Sequence, residues 1–454
     1  MASSSSGVDT TPASSTDPSR TATPTSAVAF EKAPDDSSKL KTFLGILKRF
    51  VGVSDIAAVR FSLPAQLLEP TPNLEYWNYL DRPETFIAIG DSEDALGRML
   101  GTLRFWFTKD LRGKKYVKGK PCKPYNSALG EFFRCNWEIE DTLPPIKAAK
   151  DKGPQSSSAS TASTGRNVKI SYITEQTSHH PPVSAFWVDC PEKGITAKGY
   201  DQLSAKFTGT SVRVTPGVHN LGIFITLHKW DDEQYQLTHP AAHLGGLFRG
   251  SLSVTVADVC YITCPKTKIK VILHYLEEGW LGKTQNKVEG VIFTYDPEND
   301  NKTKIRDVPD KDVLARIEGC WHDKIYYSLG SGPVSKAAEK ILLIDVNPLF
   351  PVPKIIPPEE TQLPNESRKF WGGVTEAILT KQYSLATTRK QELEERQRQK
   401  AAERQANNAD WQPRFFSNAT DANGKPDLTE EGRKALDGLH KNDYHLEESK
   451  ELGA

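Results

Sequence analysis

Residues 168–188 read VKISYITEQTSHHPPVSAFWV, two runs of β character on either side of a short proline-bearing break. In the first run Val168, Ile170 and Tyr172 alternate with Lys169 and Ser171, the pattern of a strand with one buried face. Residues 183–188 carry small residues between apolar ones, and residues 251–256 (SLSVTV), 268–273 (KIKVIL) and 288–295 repeat the theme. Short strands with Gly and Pro breaks, and few helical patterns between them, predict an antiparallel barrel or sandwich. A large enough barrel encloses a ligand cavity. Helices are expected at both ends of this β region: one over residues 92–108 (SEDALGRMLGTLRFWFT), one or two over residues 374–407.

Polar tracts frame the strands. Residues 1–38 are mainly Ser, Thr, Pro and Ala, which bury too little surface to offset the entropy of ordering, so a disordered arm is expected. Residues 153–165 (GPQSSSASTASTG) read as a flexible loop, and residues 417–454 as a polar, loosely held tail. The 454 residues carry 58 basic and 58 acidic side chains, so a globally basic nucleic-acid binder is not expected and electrostatic targeting falls to local patches. The N-terminus (MASSSS) lacks the basic and apolar regions of a secretory signal, and no run nears the ~18 apolar residues of a membrane span. A soluble, cytoplasmic protein is expected. The cysteines Cys122, Cys135, Cys190, Cys260, Cys264 and Cys320 form no C-x-x-C pair, so reduced core thiols are expected, with no metal site and no cofactor.

Four segments bear chemistry. Lys39 to Val53 place Leu40, Phe43, Leu44, Leu47 and Phe50 on one face of an amphipathic helix; it either packs on the core or covers a cavity and meets a membrane. Residues 104–123 hold eight cations (Arg104, Lys109, Arg112, Lys114, Lys115, Lys118, Lys120, Lys123) against Asp110, either a solvated patch or a docking surface for anions. In Glu175 to Pro182 (EQTSHHPP) the prolines stiffen the backbone around His179 and His180. Imidazoles can donate to a phosphate, while a purely structural turn remains open. Lys390, Glu394 and Arg398 recur at helical spacing, which by itself indicates surface ion pairs.

The EQTSHHPP segment resembles the signature of the oxysterol-binding protein family. Lys123-Pro-Tyr-Asn126 followed by SALGEFF resembles its K-P-x-N-P-x-L-G-E segment, with Ser127 in place of the second proline. Lys390 to Arg398 resembles its late K-x-x-x-E-x-x-x-R helix, and the stretches around Glu366 to Trp371 and Asp410 to Phe416 resemble further landmarks. The matches run in order from about residue 40 to 416, and the chain is identified as a short, lipid-binding-domain-only member similar to the yeast-type homologues. No pleckstrin-homology or ankyrin module is expected before residue 40.

The resemblance implies a mainly β fold with flanking helices: a large incomplete antiparallel β-barrel around a lipid tunnel over residues 39–416, closed by a helical lid at 39–53. It implies non-enzymatic, non-vesicular transfer of phosphatidylinositol 4-phosphate, with Lys123, Asn126, His179, His180, Lys390, Glu394 and Arg398 at its headgroup. Sterol is the implied second cargo, with another phospholipid such as phosphatidylserine, or a lipid-regulated sensor, as alternatives. Trp77 resembles a tunnel-lining tryptophan. Asp201, after Gly199-Tyr200, stands where sterol-binding members carry Asn, and a downstream glutamine of those members falls near Gly217. The partners implied are these lipids and anionic membrane surfaces, with peripheral association at the Golgi, endoplasmic reticulum or plasma membrane.

Overall fold

The two runs around the break form β4 (Asn167–His179) and β5 (Pro182–Cys190), paired antiparallel from Ser171↔Asp189 to His179↔Pro182. They belong to a computed structural model that describes residues 36–57, 63–111, 123–147, 165–245, 253–276 and 286–448. Residues 1–35, 153–164, 251–252 and the cations Arg112, Lys114, Lys115, Lys118 and Lys120 of the sequence expectations lie outside these.

Before β4 come β1 (Leu68–Pro72), β2 (Lys123–Tyr125) and β3 (Phe132–Glu140). After β5 follow β6 (Ile195–Asp201), β7 (Leu203–Phe207), β8 (Val212–Pro216), β9 (Ile223–Leu227), β10 (Glu233–Leu237) and β11 (Ala241–Gly245). The last strands are β12 (Ser253–Cys264), β13 (Ile269–Tyr275), β14 (Lys287–Thr294), β15 (Val313–Cys320), β16 (Lys324–Leu329) and β17 (Ile341–Asp345). The main antiparallel sheet runs β17-β16-β15-β14-β13-β12-β10-β9-β6-β5-β4-β3, and β11, β8 and β7 branch from β12. Its end strands β17 and β3 do not pair with each other, so the barrel stays incomplete. The chain after β17 crosses to the free edge of β3: Ile355 N donates to Asn136 O (2.8 Å), and Asn136 N returns a bond to Ile355 O (2.9 Å). That covers an edge otherwise open to pairing with another chain.

Side-chain alternation sorts the strands into faces. Val168, Ile170 and Tyr172 on β4, Phe186 and Val188 on β5, and Ile195 and Ala197 on β6 join the interior core. Into it packs α4 (Ala95–Thr108), capped by Asp94 and buried at every residue from Gly97 to Thr108. A helix wrapped all round by apolar surface belongs in a core. The depth of this helix corrects the reading of residues 104–123 as one surface patch, because Arg104 and Lys109 are both buried.

Four other helices carry the ends of the chain. α1 (Asp36–Leu47) places Leu40 and Leu47 in a cluster with Ile56, Phe207 and Val212, with Phe43, Leu44 and Phe50 packed beside them. The amphipathic face thus lies on the β7–β8 limb. The C-terminal helical region begins earlier than residue 374, as α5 (Ser367–Leu379), and a second helix, α6 (Tyr383–Ala406), follows a turn at Lys381. The loosely held tail is also corrected: α7 (Glu430–His440) buries Ala435, Leu436 and Leu439 against Phe132, Ile173 and Tyr200. Asn136 Nδ2 donates to Leu439 O (2.6 Å) and Arg134 to Tyr444 O (2.9 Å). The segment looked polar because only three or four residues in every two helical turns face the sheet. Between α1 and α4 lie the short helices α2 (Asn73–Tyr76) and α3 (Pro83–Ile87).

Leu439 is fully buried. Leu439→Ala is expected to lower stability by about 2–4 kcal/mol, measured by urea denaturation. A loss under about 0.5 kcal/mol, the range of surface substitutions, would mean that the helix is not docked in solution.

Candidate functional site

Glu175, the first residue of the EQTSHHPP stretch, is a buried anchor rather than a surface acid. Its carboxylate accepts from the backbone N–H groups of Arg414 and Phe415, each at 2.8 Å. Burial pushes its pKa up to about 7, against the opposing pull of those two bonds. Two residues on, Thr177 O accepts from Trp411 Nε1 (3.2 Å) and Thr177 Oγ1 donates to Ala419 O (2.6 Å). The strand is therefore clamped to the chain's C-terminal part just before it turns. At the turn, with a cis His180–Pro181 peptide, His179 and His180 are exposed, their rings edge to face at 4.6 Å between centroids.

The second segment runs from Lys123 to Glu131. Gly130 N donates to Gln176 O (3.0 Å) and Gln176 N donates back to Glu131 O (2.8 Å), which ties it to the strand carrying the histidines. Gly130 has φ +75°, and a Cβ there would fall 2.5 Å from the Trp411 ring, so the turn needs glycine on both counts. Glu131 is the second buried anchor. It accepts from Ala128 N (2.9 Å), Ser367 Oγ (2.7 Å) and Trp371 Nε1 (3.0 Å), and burial pushes its pKa up to about 7. Those partners fix the loop to the first turns of α5, where Tyr125 also stacks on Trp371 at 4.8 Å.

α6 supplies the third segment. Only Ala386 and Lys390 are buried along its 24 residues, which singles out Lys390 from the surface cations around it. Lys390 Nζ donates to Glu394 Oε1 at 2.6 Å, Arg398 lies 3.9 Å from Glu394, and its nearer partner is Glu395. Lys123 donates to Asn126 Oδ1. The Lys123 ammonium is pushed down to about 8, by burial first and then by the charge of Lys390, with Glu394 opposing. Lys123, Asn126, Lys390, Glu394 and Arg398 therefore form one cluster, built by a short strand and a distant helix. The far end of α6 leans on the same frame, with the Arg404 guanidinium 5.7 Å from the Trp411 ring.

Trp77 and Asp201 belong to a different place. Asp201 ends β6 in step with Ile195, Ala197 and Gly199, on the interior face. Tyr79 OH donates to its carboxylate at 2.5 Å. Burial raises Asp201 to about 6, with the Tyr79 hydrogen bond and the charge of Lys109 pulling the other way. Lys109 Nζ sits 4.6 Å from the ring centroids of both Tyr79 and Trp106, and His239 stacks on Tyr79 at 5.3 Å. Trp77 is half-buried beside this group, its carbonyl accepting from Tyr172 OH at 3.4 Å. A Cβ at Gly217 would lie 2.4 Å from the Gln202 side chain, so that glutamine fills the space beside the glycine. Tyr79 was not singled out by sequence reasoning, and Lys109 was read only as one cation of the basic run, since neither carries a spacing signal that points to the interior.

Comparison with known proteins places this geometry. A family model described as oxysterol-binding protein matches residues 42–435. Oxysterol-binding protein-like protein 1 of Schizosaccharomyces pombe is 42% identical, over 90% of this chain and 92% of that protein. Human oxysterol-binding protein-related protein 9 is 30% identical over 78% of this chain, which spans 44% of that larger protein. Among solved structures, the Osh1 ORD domain in complex with cholesterol superposes with a TM-score of 0.63 at 18% identity, covering 90% of each chain. The Osh3 ORD of Saccharomyces cerevisiae in complex with PI(4)P gives 0.61 at 18% identity, covering 92% of this chain and 95% of that one. Both likenesses show the shared, unclosed antiparallel fold. Among the described residues no helix is long and apolar enough to cross a membrane.

The two buried glutamates set a pH dependence. Their folded pKa values of about 7 lie above the ordinary 4.5, so between these limits the folded state binds more protons than the unfolded state. Stability is then expected to fall as pH rises from about 4.5 to about 7. Glu131→Gln keeps an acceptor without a charge and should flatten part of that slope in urea titrations at several pH values. Glu131→Ala, which strands three donors, should cost about 2–4 kcal/mol. An unchanged slope in Glu131→Gln would show that this carboxyl does not titrate there.

Proposed function

This chain belongs to the oxysterol-binding protein family, and on that premise we propose that it moves lipids between membranes without vesicles or catalysis. In this reading one tunnel holds phosphatidylinositol 4-phosphate and a second lipid in turn. The headgroup binds to Lys123, Asn126, His179, His180, Lys390 and Arg398, and Glu394 accepts from an inositol hydroxyl or orients a neighbouring cation. One observation carries the assignment: burial first, and then the charge of the nearby Lys390, weaken the hold of Lys123 on its proton, with Glu394 opposing. Crowded cations raise the free energy of the empty protein, and a multiply charged phosphate converts that repulsion into charge-assisted hydrogen bonds. The His179–His180 turn adds donors from a separate element, clamped to the same frame through Gln176 and Thr177.

The second lipid, on our reading, is a sterol. Neighbours of the same fold in complex with cholesterol, ergosterol and PI(4)P support one tunnel serving both kinds of ligand. The Asp201 carboxylate has room on its acceptor lone pairs for a lipid hydroxyl beyond the Tyr79 bond. The same group favours a second reading, because Lys109 brings a cation to this interior cluster, as suits a phospholipid phosphate. α1 acts as the lid, exposing its apolar face when it opens at an anionic membrane surface. The site of action is cytoplasmic, peripheral to Golgi, endoplasmic reticulum or plasma membrane.

Exchange follows from competition. Two lipids that exclude each other from one cavity let a gradient of one drive transport of the other. A sensor would use the same cavity without rapid release, and transfer between liposomes separates the two: fast movement supports exchange, tight binding without movement supports sensing.

His179→Ala with His180→Ala is expected to abolish extraction of phosphatidylinositol 4-phosphate from liposomes while leaving the urea midpoint unchanged. Undiminished extraction would overturn the headgroup assignment. For the second lipid, native mass spectrometry after incubation with mixed liposomes is expected to find sterol in the wild type. Finding phosphatidylserine instead would replace the sterol reading and leave the headgroup site standing.

A further inference from the structure

Three exposed apolar side chains share one corner of the sheet: Val218 is 79% exposed, Leu203 52% and Leu221 36%. Single exposed apolar residues are ordinary, but a group on adjoining connections marks an interaction surface. Leu203 opens β7, and Val218 and Leu221 lie in the connection from β8 to β9. β6 ends at Asp201, opposite Ser184 of β5, so the chain leaves β6 beside the His179–His180 turn and reaches Leu203 two residues later. Leu203 pairs with Pro216, the last residue of β8. β9 begins beside the end of β6, with Phe224 opposite Lys198. The corner therefore lies at the end of the sheet that carries the two histidines.

Hydrogen bonds lock these connections together. The buried Gln202 accepts at its carbonyl from Gly217 N (2.9 Å) and Asn220 Nδ2 (3.4 Å), and at Oε1 from His219 N (2.8 Å). Asn220 N donates to Gly217 O (3.0 Å), and Asn220 Oδ1 accepts from Gly222 N (3.2 Å). The backbone around Val218 is thus fixed while its side chain stands in water. Ordering a loop costs entropy, and an apolar side chain held outward recovers none of it by burial. A surface that covers the corner supplies the missing burial.

Charge selects that surface. From Gln202 to Leu227 the chain carries Lys206 and Arg213 and no carboxylate. Lys206 stands directly opposite Arg213 on β8, with His243 of β11 next in the row. Like charges directly opposite destabilise a strand pair, and Asp258 offsets part of this through its 2.7 Å ion pair with Arg213. A second copy of the chain would bring cations against cations here. An anionic bilayer supplies both complements: an apolar interface for the corner, and phosphates that draw the cations over a Debye length of about 8 Å. We propose that this corner anchors the protein on an anionic membrane, with Leu203 and Val218 entering the bilayer interface and α1 left in place. The proposal deepens the lipid-transfer reading and rests on it, since the anchor sets the His179–His180 turn against the membrane from which a lipid is drawn.

The test measures, by flotation, partition of the full-length protein onto vesicles of phosphatidylcholine with phosphatidylserine. Leu203→Ser with Val218→Ser should weaken it at least about tenfold, the loss expected from two uncovered apolar side chains. Val218→Trp should strengthen it severalfold, because indole favours the interface, and it keeps the readout open if the serine variant folds poorly. Melting temperature, and binding of a short-chain, water-soluble phosphatidylinositol 4-phosphate, should stay unchanged in both variants. Undiminished partition of a folded double variant, or no gain with Val218→Trp, would overturn the proposal. Loss of short-chain binding in either variant would also overturn it, by placing the corner within the lipid site. The transfer reading fails separately: a wild-type chain that needs the corner to partition yet binds no short-chain lipid supports the anchor and sinks the headgroup assignment.

Discussion

Two buried carboxylates, held chiefly by neutral donors, decide how this chain is threaded. Glu131 and Glu175 flank the start of the sheet, one in the turn before β3 and the other near the end of β4. Burying an ionised carboxyl costs several kcal/mol unless donors replace the lost water. The donors come from Ser367, Trp371, Arg414 and Phe415, far along the sequence. Each glutamate is thus a demand that only the C-terminal part of the chain can meet, and meeting it brings α5 and the DWQPRFF segment onto the early strands. Burial still leaves both groups near pH 7 rather than 4.5, so the donors offset the desolvation only in part.

The cations of the candidate site ride on this frame. Lys123 sits at one end of the loop that Glu131 pins, and α6 follows α5 after a turn of a few residues. Once Trp371 and Ser367 are held by Glu131, α6 has little freedom in where it presents Lys390. Lys390 is buried with Glu394 as its partner, one turn along, and Lys123 feels both. The histidines are placed from the other glutamate, since Glu175 lies four residues before His179 on the same strand. A substitution at either anchor therefore reaches the cluster without touching any member of it.

Much of this was legible in the sequence, and what was not has physical reasons. The strand pair around EQTSHHPP shows in the alternation of Val168, Ile170 and Tyr172, which the structure turns to the interior. The helix stripe Lys390, Glu394, Arg398 shows in its spacing, but spacing says nothing about depth: Lys390 is buried while Arg398 stays at the surface. The same blindness to depth made Arg104 and Lys109 look like part of a surface patch. Sequence registers that a lysine is charged, and only packing shows that its ammonium lies between Tyr79 and Trp106. α7 was hidden for a complementary reason. Its Leu436 and Leu439 are few among polar neighbours, yet they suffice because Phe132, Ile173 and Tyr200 present a preformed surface.

The interior cluster differs from the cluster at Lys123 in a way that bears on cargo. Lys123, which is half-buried, feels the positive charge of Lys390 and the negative charge of Glu394, a setting that suits the proposed headgroup. Around Asp201 a carboxylate, a phenol and an ammonium are nearly balanced, and the ammonium is already engaged with two aromatic faces. Cation–π contacts at a desolvated site are worth roughly 2 kcal/mol, so withdrawing Lys109 to meet a phosphate has a cost that a hydroxyl does not impose. A phosphate there also meets the Asp201 carboxylate, whose charge repels it at low effective dielectric. A neutral hydroxyl meets neither penalty: it donates to Asp201 and leaves Lys109 where it is. Both considerations weigh toward a neutral second lipid. Protonation of Asp201 near pH 6 would weaken that preference by removing the repulsion and one acceptor together.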